Sequence, residues 1–229
     1  MPKTAHLQPE LITFLKQLKK NNNRQWFQKN KDRYESEVRE PLLKFIETFE
    51  PRLHKISPHF VADARKTGGS LFRIYRDTRF SHDKRPYKTH AGVQFRHERA
   101  KDVHAPGFYL HIEPDNVFVG VGLWHPDAAT LGLIREAIVD GPAAWKRAKS
   151  AKAFKEHFEL AGDSLKRAPK GYDPDDPLIE DLRRKDFIAV SEWETRWITR
   201  PDFLDRFTEH CRAAKPFMAY LTKACGLKF

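Results

Sequence analysis

Three runs of alternating residues near the middle of the chain constrain its fold more than any other feature. Ala91, Val93 and Phe95 alternate with Gly92, Gln94 and Arg96, and Phe108, Leu110 and Ile112 alternate with Tyr109, His111 and Glu113. Val117, Val119, Val121 and Leu123 alternate with Phe118, Gly120, Gly122 and Trp124. A period of two sends the first set of each run to one face of a strand and the second set to the other. Pro114-Asp115-Asn116 joins the last two runs with turn chemistry and predicts a hairpin. Such strands build an antiparallel sheet, one face on a core and the other more polar.

Helical patterns flank this centre. Leu11, Phe14, Leu15 and Leu18 recur at helical spacing behind Pro9, and Asn21 to Asn23 break that helix and can cap the next, which carries Trp26, Phe27 and Tyr34. Leu42, Phe45, Ile46, Phe49 and Leu53 form a third stripe, which Pro51 is expected to bend or end. After Pro126-Asp127 come Leu131, Ile134 and Ile138, then Gly141-Pro142, then more helix marked by Trp145, Phe154 and Phe158. A loop-rich acidic stretch (168–182) precedes a further strand at Phe187 to Trp193. A closing helix then starts at Pro201-Asp202 and is kinked or ended by Pro216. The expectation is α+β: one domain over 1–229, helical at 8–56, strand-rich at 70–124, helical and loop-rich at 127–229, with a sheet of about four or five strands. At 229 residues with 40% apolar content, the chain is long enough for a real core.

The segment Ser70 to His90, SLFRIYRDTRFSHDKRPYKTH, is where chemistry is expected. It packs Arg73, Arg76, Arg79, Lys84, Arg85 and Lys88 around Asp77, Ser81, Asp83 and Tyr87. Between Arg65 and Lys101 stand eleven Lys/Arg against three acids, a large share of the net charge of +11. Guanidinium groups held near a core need a counter-anion. Arg73, Arg76, Asp77, Arg79, Ser81, Lys84, Tyr87 and Lys88 are therefore the expected anion-binding set, for a small ligand bearing phosphate or carboxylate. If 71–77 is a regular strand, Arg73, Tyr75 and Asp77 share one face and Phe72 and Ile74 the other. That polar face extends to a possible pocket of Arg96, Tyr109, His111, Gly120, Gly122 and Trp124, with Gln94 and Glu113 beside them and the two glycines leaving a shallow depression. The acidic segment Asp173 to Asp181 is a rival occupant. Two alternatives stand beside the anion site: a non-enzymatic nucleic-acid binder using the basic surface at 65–101 and 146–167, and an interaction module whose charges form an internal network.

Other chemistries find less support. Asp77, flanked by Arg76 and Arg79, is held ionised and makes a poor base. Ser81 has no Ser-His-acid grouping beyond its neighbours His82 and Asp83. His111 and Glu113 point the same way and His125 follows the hairpin, so three metal ligands can be assembled. No HExxH or Cys/His spacing occurs, however, and a cationic neighbourhood opposes a divalent ion, so neither metal nor other cofactor is expected. Glycine patterns of phosphate loops are absent. No catalytic residue is assigned, which leaves open whether the protein is an enzyme. Cys211 and Cys225 show no framework spacing, which reads as a reducing, cytoplasmic compartment. No apolar run reaches the ~20 residues of a membrane span. Nothing in the sequence sets an oligomeric state.

The segments FLKQLKKNNNRQWFQKNKDRYESEVREPL, FRIYRDTRFSHDKRPYKTH, GFYLHIEPDNVFVGVGLWHP, LGLIREAI and PKGYDPDDPLIEDLRRKDF, followed by the closing helix, occur in an order that resembles a family of conserved hypothetical proteins. This is the domain of unknown function 2461, with bacterial and fungal members. The resemblance covers nearly the whole chain and implies one compact domain. It carries no reaction, so it supplies no catalytic residues. His82 and Arg85 depart from the lysine and small polar residue expected there, and both suit the same loop.

Overall fold

The computed structural model describes residues 6–99 and 105–229; Lys101, the last of the basic residues counted above, lies outside them. Its centre is one antiparallel sheet of six strands in the order β1-β2-β3-β4-β6-β5. The strands are β1 (Phe60–Val61), β2 (Ala91–His97), β3 (Gly107–Glu113), β4 (Asn116–Leu123), β5 (Glu159–Ala161) and β6 (Phe187–Trp193). The sheet thus exceeds the expected four or five strands. The extra strands are the edges β1 and β5, of two and three residues, too short for alternation to register.

The hairpin forms as its turn residues predict, with Glu113 opposite Asn116 and Asp115 in the left-handed region at φ 67°. Across β2, β3 and β4 the register aligns Gln94 with Tyr109 and Gly120, and Gly92 with His111 and Phe118. One face of the sheet is therefore predominantly apolar: Val93, Phe95, Phe108, Leu110, Val119, Val121, Phe187 and Ala189 are all buried, with His97 and Ser191 the polar residues buried beside them. Against it pack α4 (Glu40–Ile56), α9 (Phe203–Ala213) and α10 (Lys215–Ala224), and α1 (Pro9–Lys20) adds its apolar side to the same core. Phe49 lies 4.8 Å, centroid to centroid, from both Phe95 and Phe207, so strand and helices share one aromatic core.

Helix starts follow their capping residues. Asn23 accepts a hydrogen bond from the Trp26 N–H to open α2 (Arg24–Lys29), and Asp127 does the same for Thr130 at α5 (Ala128–Asp140). Pro51 does not end its helix: α4 runs through it to Ile56. Pro51 is exposed, and so is Glu47, whose carbonyl loses its helical partner; water can serve that carbonyl while Phe49, Leu53 and Ile56 anchor the buried side. Pro216 sits in the first turn of α10, after α9 has ended. Among the described residues no helix is long and apolar enough to cross a membrane.

Candidate functional site: a cationic groove beside the signature loop

Residues 71–77 are not the regular strand that parity anticipated. Only two isolated bridges occur there, Leu71 with Val93 and Tyr75 with Tyr87. Ser70 and Phe72 hydrogen-bond Gln94 and Gly92 along the edge of β2. The chain then leaves the sheet and folds back on itself, with Arg76 N–H donating to Pro86 O and Lys88 N–H to Ile74 O. The supposed face division is lost, because Phe72, Arg73, Ile74 and Tyr75 all contribute to the wall of one groove. What holds this hairpin is tertiary. The Asn22 side chain accepts from the Tyr87 N–H at 3.0 Å and donates to its carbonyl at 2.9 Å. The buried Tyr87 ring stacks on Phe27 at 4.1 Å.

Most cations of the loop are held by the loop. Arg79 is paired bidentately with Asp77, and Asp83 takes both Arg76 and Arg85. Lys84 donates to Thr78 O and Lys88 to Arg73 O, each at 3.0 Å. Asp77 and Asp83 also accept the backbone N–H two residues on, which makes the turns. Ser81 is half-buried and makes no side-chain hydrogen bond among the described residues. The acidic segment does not reach this loop: Asp181 pairs with Lys149 at 2.6 Å, and Asp173 and Asp176 cap local turns.

Arg73 and Arg96 differ. Neither has an ion pair or side-chain hydrogen bond among the described residues, although Arg96 is close enough to Asp63 to lower its carboxyl pKa, after the larger effect of Arg65. Both line a cavity of about 560 Å³ between segment 66–75 and the helical residues Phe27, Lys31, Tyr34, Glu35 and Arg39. The helical wall includes a π-helical turn, Tyr34–Arg39, of the kind that recurs at functional sites. Glu35 is the one acid among the lining residues, and it is taken by Arg39 at 2.6 Å.

The family model described as "Conserved hypothetical protein (DUF2461)" matches residues 10–220. The chain belongs to that family. The match takes in the N-terminal helices, the loop, the whole sheet and most of α10. No curated protein and no solved structure matches the chain.

The remaining pocket residues stand on the outer sheet face, at differing distances from the groove. Tyr109 lies 6.0 Å from Phe72, ring to ring, which connects the sheet face to the groove wall. Its hydroxyl is 3.0 Å from His111 Nδ1, and His111 stacks on Phe118 at 4.6 Å. A Cβ on Gly120 would meet Phe118 and Tyr109 at ordinary contact distance, so these rings roof the depression expected there. Trp124 is exposed past the end of β4 and packs on His125. His125 is drawn away from the other histidines by the buried carboxylate of Asp186, 3.1 Å from its Nδ1.

Sequence reasoning missed His90, the neighbour that His111 and Glu113 actually have. Ala91 pairs with Ile112, so the next step of the register brings His90 opposite Glu113. The rings of His90 and His111 are 4.5 Å apart. Burial pushes His90 down to about 4 and lowers His111 as well, so both are neutral near pH 7. For Glu113, burial acts upward but the Thr89 hydroxyl and Lys19 outweigh it, and its pKa falls. The signal was in the register of two strands that alternation alone does not pair.

The loop's ion pairs set an expected acid response. The Arg79 side chain, foremost, holds Asp77 at about 2 against an ordinary 3.8. Asp83 is lowered further, first by Arg85 and then by Arg76. A depressed carboxyl stabilises the fold above its unfolded value, and that contribution disappears as pH falls through the folded one. The Asp77 turn should therefore stay paired at pH 4 and let go between about 3.8 and 2, with the Asp83 pairs lasting to lower pH. Carboxyl carbon shifts followed by NMR check this; midpoints for both aspartates near the ordinary value would show that the pairs do not persist in solution.

Proposed function

We propose that this protein recognises a small ligand carrying phosphate or carboxylate, bound in the groove between segment 66–75 and the helical residues 31–39. The observation that carries the proposal is the pair of arginines at the groove, Arg73 and Arg96, which no carboxylate among the described residues neutralises by contact. Lys31, Arg39 and Lys66 add to the positive field, and the groove's volume lies in the range of small-molecule sites. Tyr34, Phe72 and Tyr75 offer rings against which a planar group can lie. The paired loop of residues 74–88 then has a supporting role: it fixes Arg73 in place, the Arg73 carbonyl being gripped by Lys88.

A thermal-shift screen of phosphorylated and carboxylated metabolites, with and without magnesium, tests the proposal. A ligand is expected to raise the melting temperature with its occupancy. Arg73→Ala and Arg96→Ala are each expected to weaken its binding roughly 10- to 100-fold, the worth of one charge-assisted hydrogen bond. Because neither arginine is paired among the described residues, both variants should fold. Full affinity in both variants, or no response to any anion, would refute the groove as a ligand site. Affinity for nucleic acid that falls steeply with salt and survives either single substitution would favour a diffuse basic surface.

A further inference from the structure

We propose that His90, His111 and Glu113 bind a divalent transition-metal ion, with zinc the best match. The donor atoms of all three lie within 4.8 Å of one another. His111 Nε2 and Glu113 Oε2 are 3.7 Å apart, a span that two metal bonds of about 2.1 Å can bridge. The decisive atom is His111 Nε2, which is buried and has no hydrogen-bond partner. A buried polar atom left unsatisfied is costly, and an ion between these side chains would satisfy it.

The surrounding groups are arranged as metal sites require. Tyr109 engages the other ring nitrogen of His111, which orients the imidazole with Nε2 toward Glu113. Thr89 at 3.0 Å and Lys19 at 3.4 Å hold Glu113 Oε1, which leaves Oε2 on the histidine side. Two imidazoles and one carboxylate favour zinc and its first-row neighbours over magnesium or calcium, which take oxygen ligands. Three protein ligands also leave a position for water or substrate, as in catalytic rather than structural zinc sites. Part of the cationic neighbourhood that argued against a metal is neutralised, since Asp77 and Asp83 take Arg76, Arg79 and Arg85, while Lys88 remains near His90.

A second cluster, His59, His97 and Glu98, satisfies the same distance criterion. Its histidines are already used: His97 bonds Lys228 O through Nε2 and the Arg99 N–H through Nδ1, and His59 is bound to Glu98 at 2.6 Å. It serves as the internal control.

Chelator-treated protein titrated with Zn²⁺ by calorimetry is expected to bind one ion per chain and to melt at a higher temperature. His111→Gln and Glu113→Gln should each lower zinc affinity more than about 100-fold. Thr89→Ala, which frees Glu113 Oε1, should lower it about 10- to 100-fold. His59→Gln, His125→Gln and Arg73→Ala should leave it unchanged, the last separating this site from the anion groove. Circular dichroism establishes that each variant is folded, and Glu113→Gln, nearly isosteric, serves if the histidine variant is not. The inference is overturned if no zinc binds, if full binding survives Glu113→Gln, or if binding is lost in His59→Gln.

Discussion

Truncation of Phe27 to alanine is expected to destabilise the protein by roughly 3–5 kcal/mol, the usual cost of removing a buried phenylalanine. It should also loosen the signature loop selectively. Phe27 is 1% exposed and lies between the N-terminal helices and the loop. Its ring stacks on Tyr87 at 4.1 Å and meets Tyr34 at 5.4 Å and the edge of Tyr75 at 6.1 Å. Those tyrosines belong to the loop and to the groove wall, so the cavity left by Phe27→Ala opens beneath both. Urea denaturation gives the global loss, and amide exchange gives its distribution. Protection at Arg76 and Lys88, whose N–H groups close the hairpin, should fall further than protection in β3. Phe207→Ala provides the comparison, because Phe207 touches Phe45, Phe49 and Phe95 in the central core. Its global cost should be similar and its effect on the hairpin no greater than on the rest. If the two variants alter exchange in the same pattern, Phe27 is ordinary core and does not anchor the loop.

The anchoring of that loop also shows where sequence reading stops. The inner face of the sheet was legible because every second residue within each central run is apolar (Ala91, Val93 and Phe95; Phe108, Leu110 and Ile112; Val117, Val119, Val121 and Leu123), and burial of one face needs nothing else. Segment 71–77 carries a similar local pattern, yet its conformation is decided by Asn22, 65 residues from Tyr87 in the chain. Asn22 was legible only as part of a helix break; its amide spans a tertiary gap that no periodicity encodes. The charges were legible as a group and not as pairs. Asp77 and Asp83 each stand two residues before an arginine, at Asx-turn spacing, which puts Arg79 and Arg85 back on their own turns. Arg73 and Arg96 have no such acid, and the groove they share became visible only once Tyr34–Arg39 had folded opposite them. His90 was hidden for a related reason, since its meeting with Glu113 depends on strand register, which alternation leaves free by two-residue steps.

Gly120 and Gly122, which look equivalent in the sequence, are expected to respond to substitution in opposite ways. Gly120→Ala should change stability little: the added Cβ would lie 3.7–3.8 Å from the rings of Phe118 and Tyr109, at ordinary contact. Gly122→Ala should cost roughly 3 kcal/mol or more and sharply reduce the yield of folded protein. Gly122 has φ +115°, a conformation that L side chains rarely adopt, and its Cβ would fall 2.0 Å from the carbonyl oxygen of Phe187 on the paired strand. The obstacle is backbone, so no rotamer change relieves it. Relief would require β4 and β6 to separate at the end of the sheet where Gly107, Gly122 and Ile188 lie side by side. Gly122 is thus glycine because two strands approach too closely for anything larger, and the space it leaves holds protein, not a ligand. Thermal melts of the two alanine variants, run in parallel, decide the matter. Equal melting temperatures, or a less stable Gly120→Ala, would mean that β4 and β6 do not approach closely at Phe187.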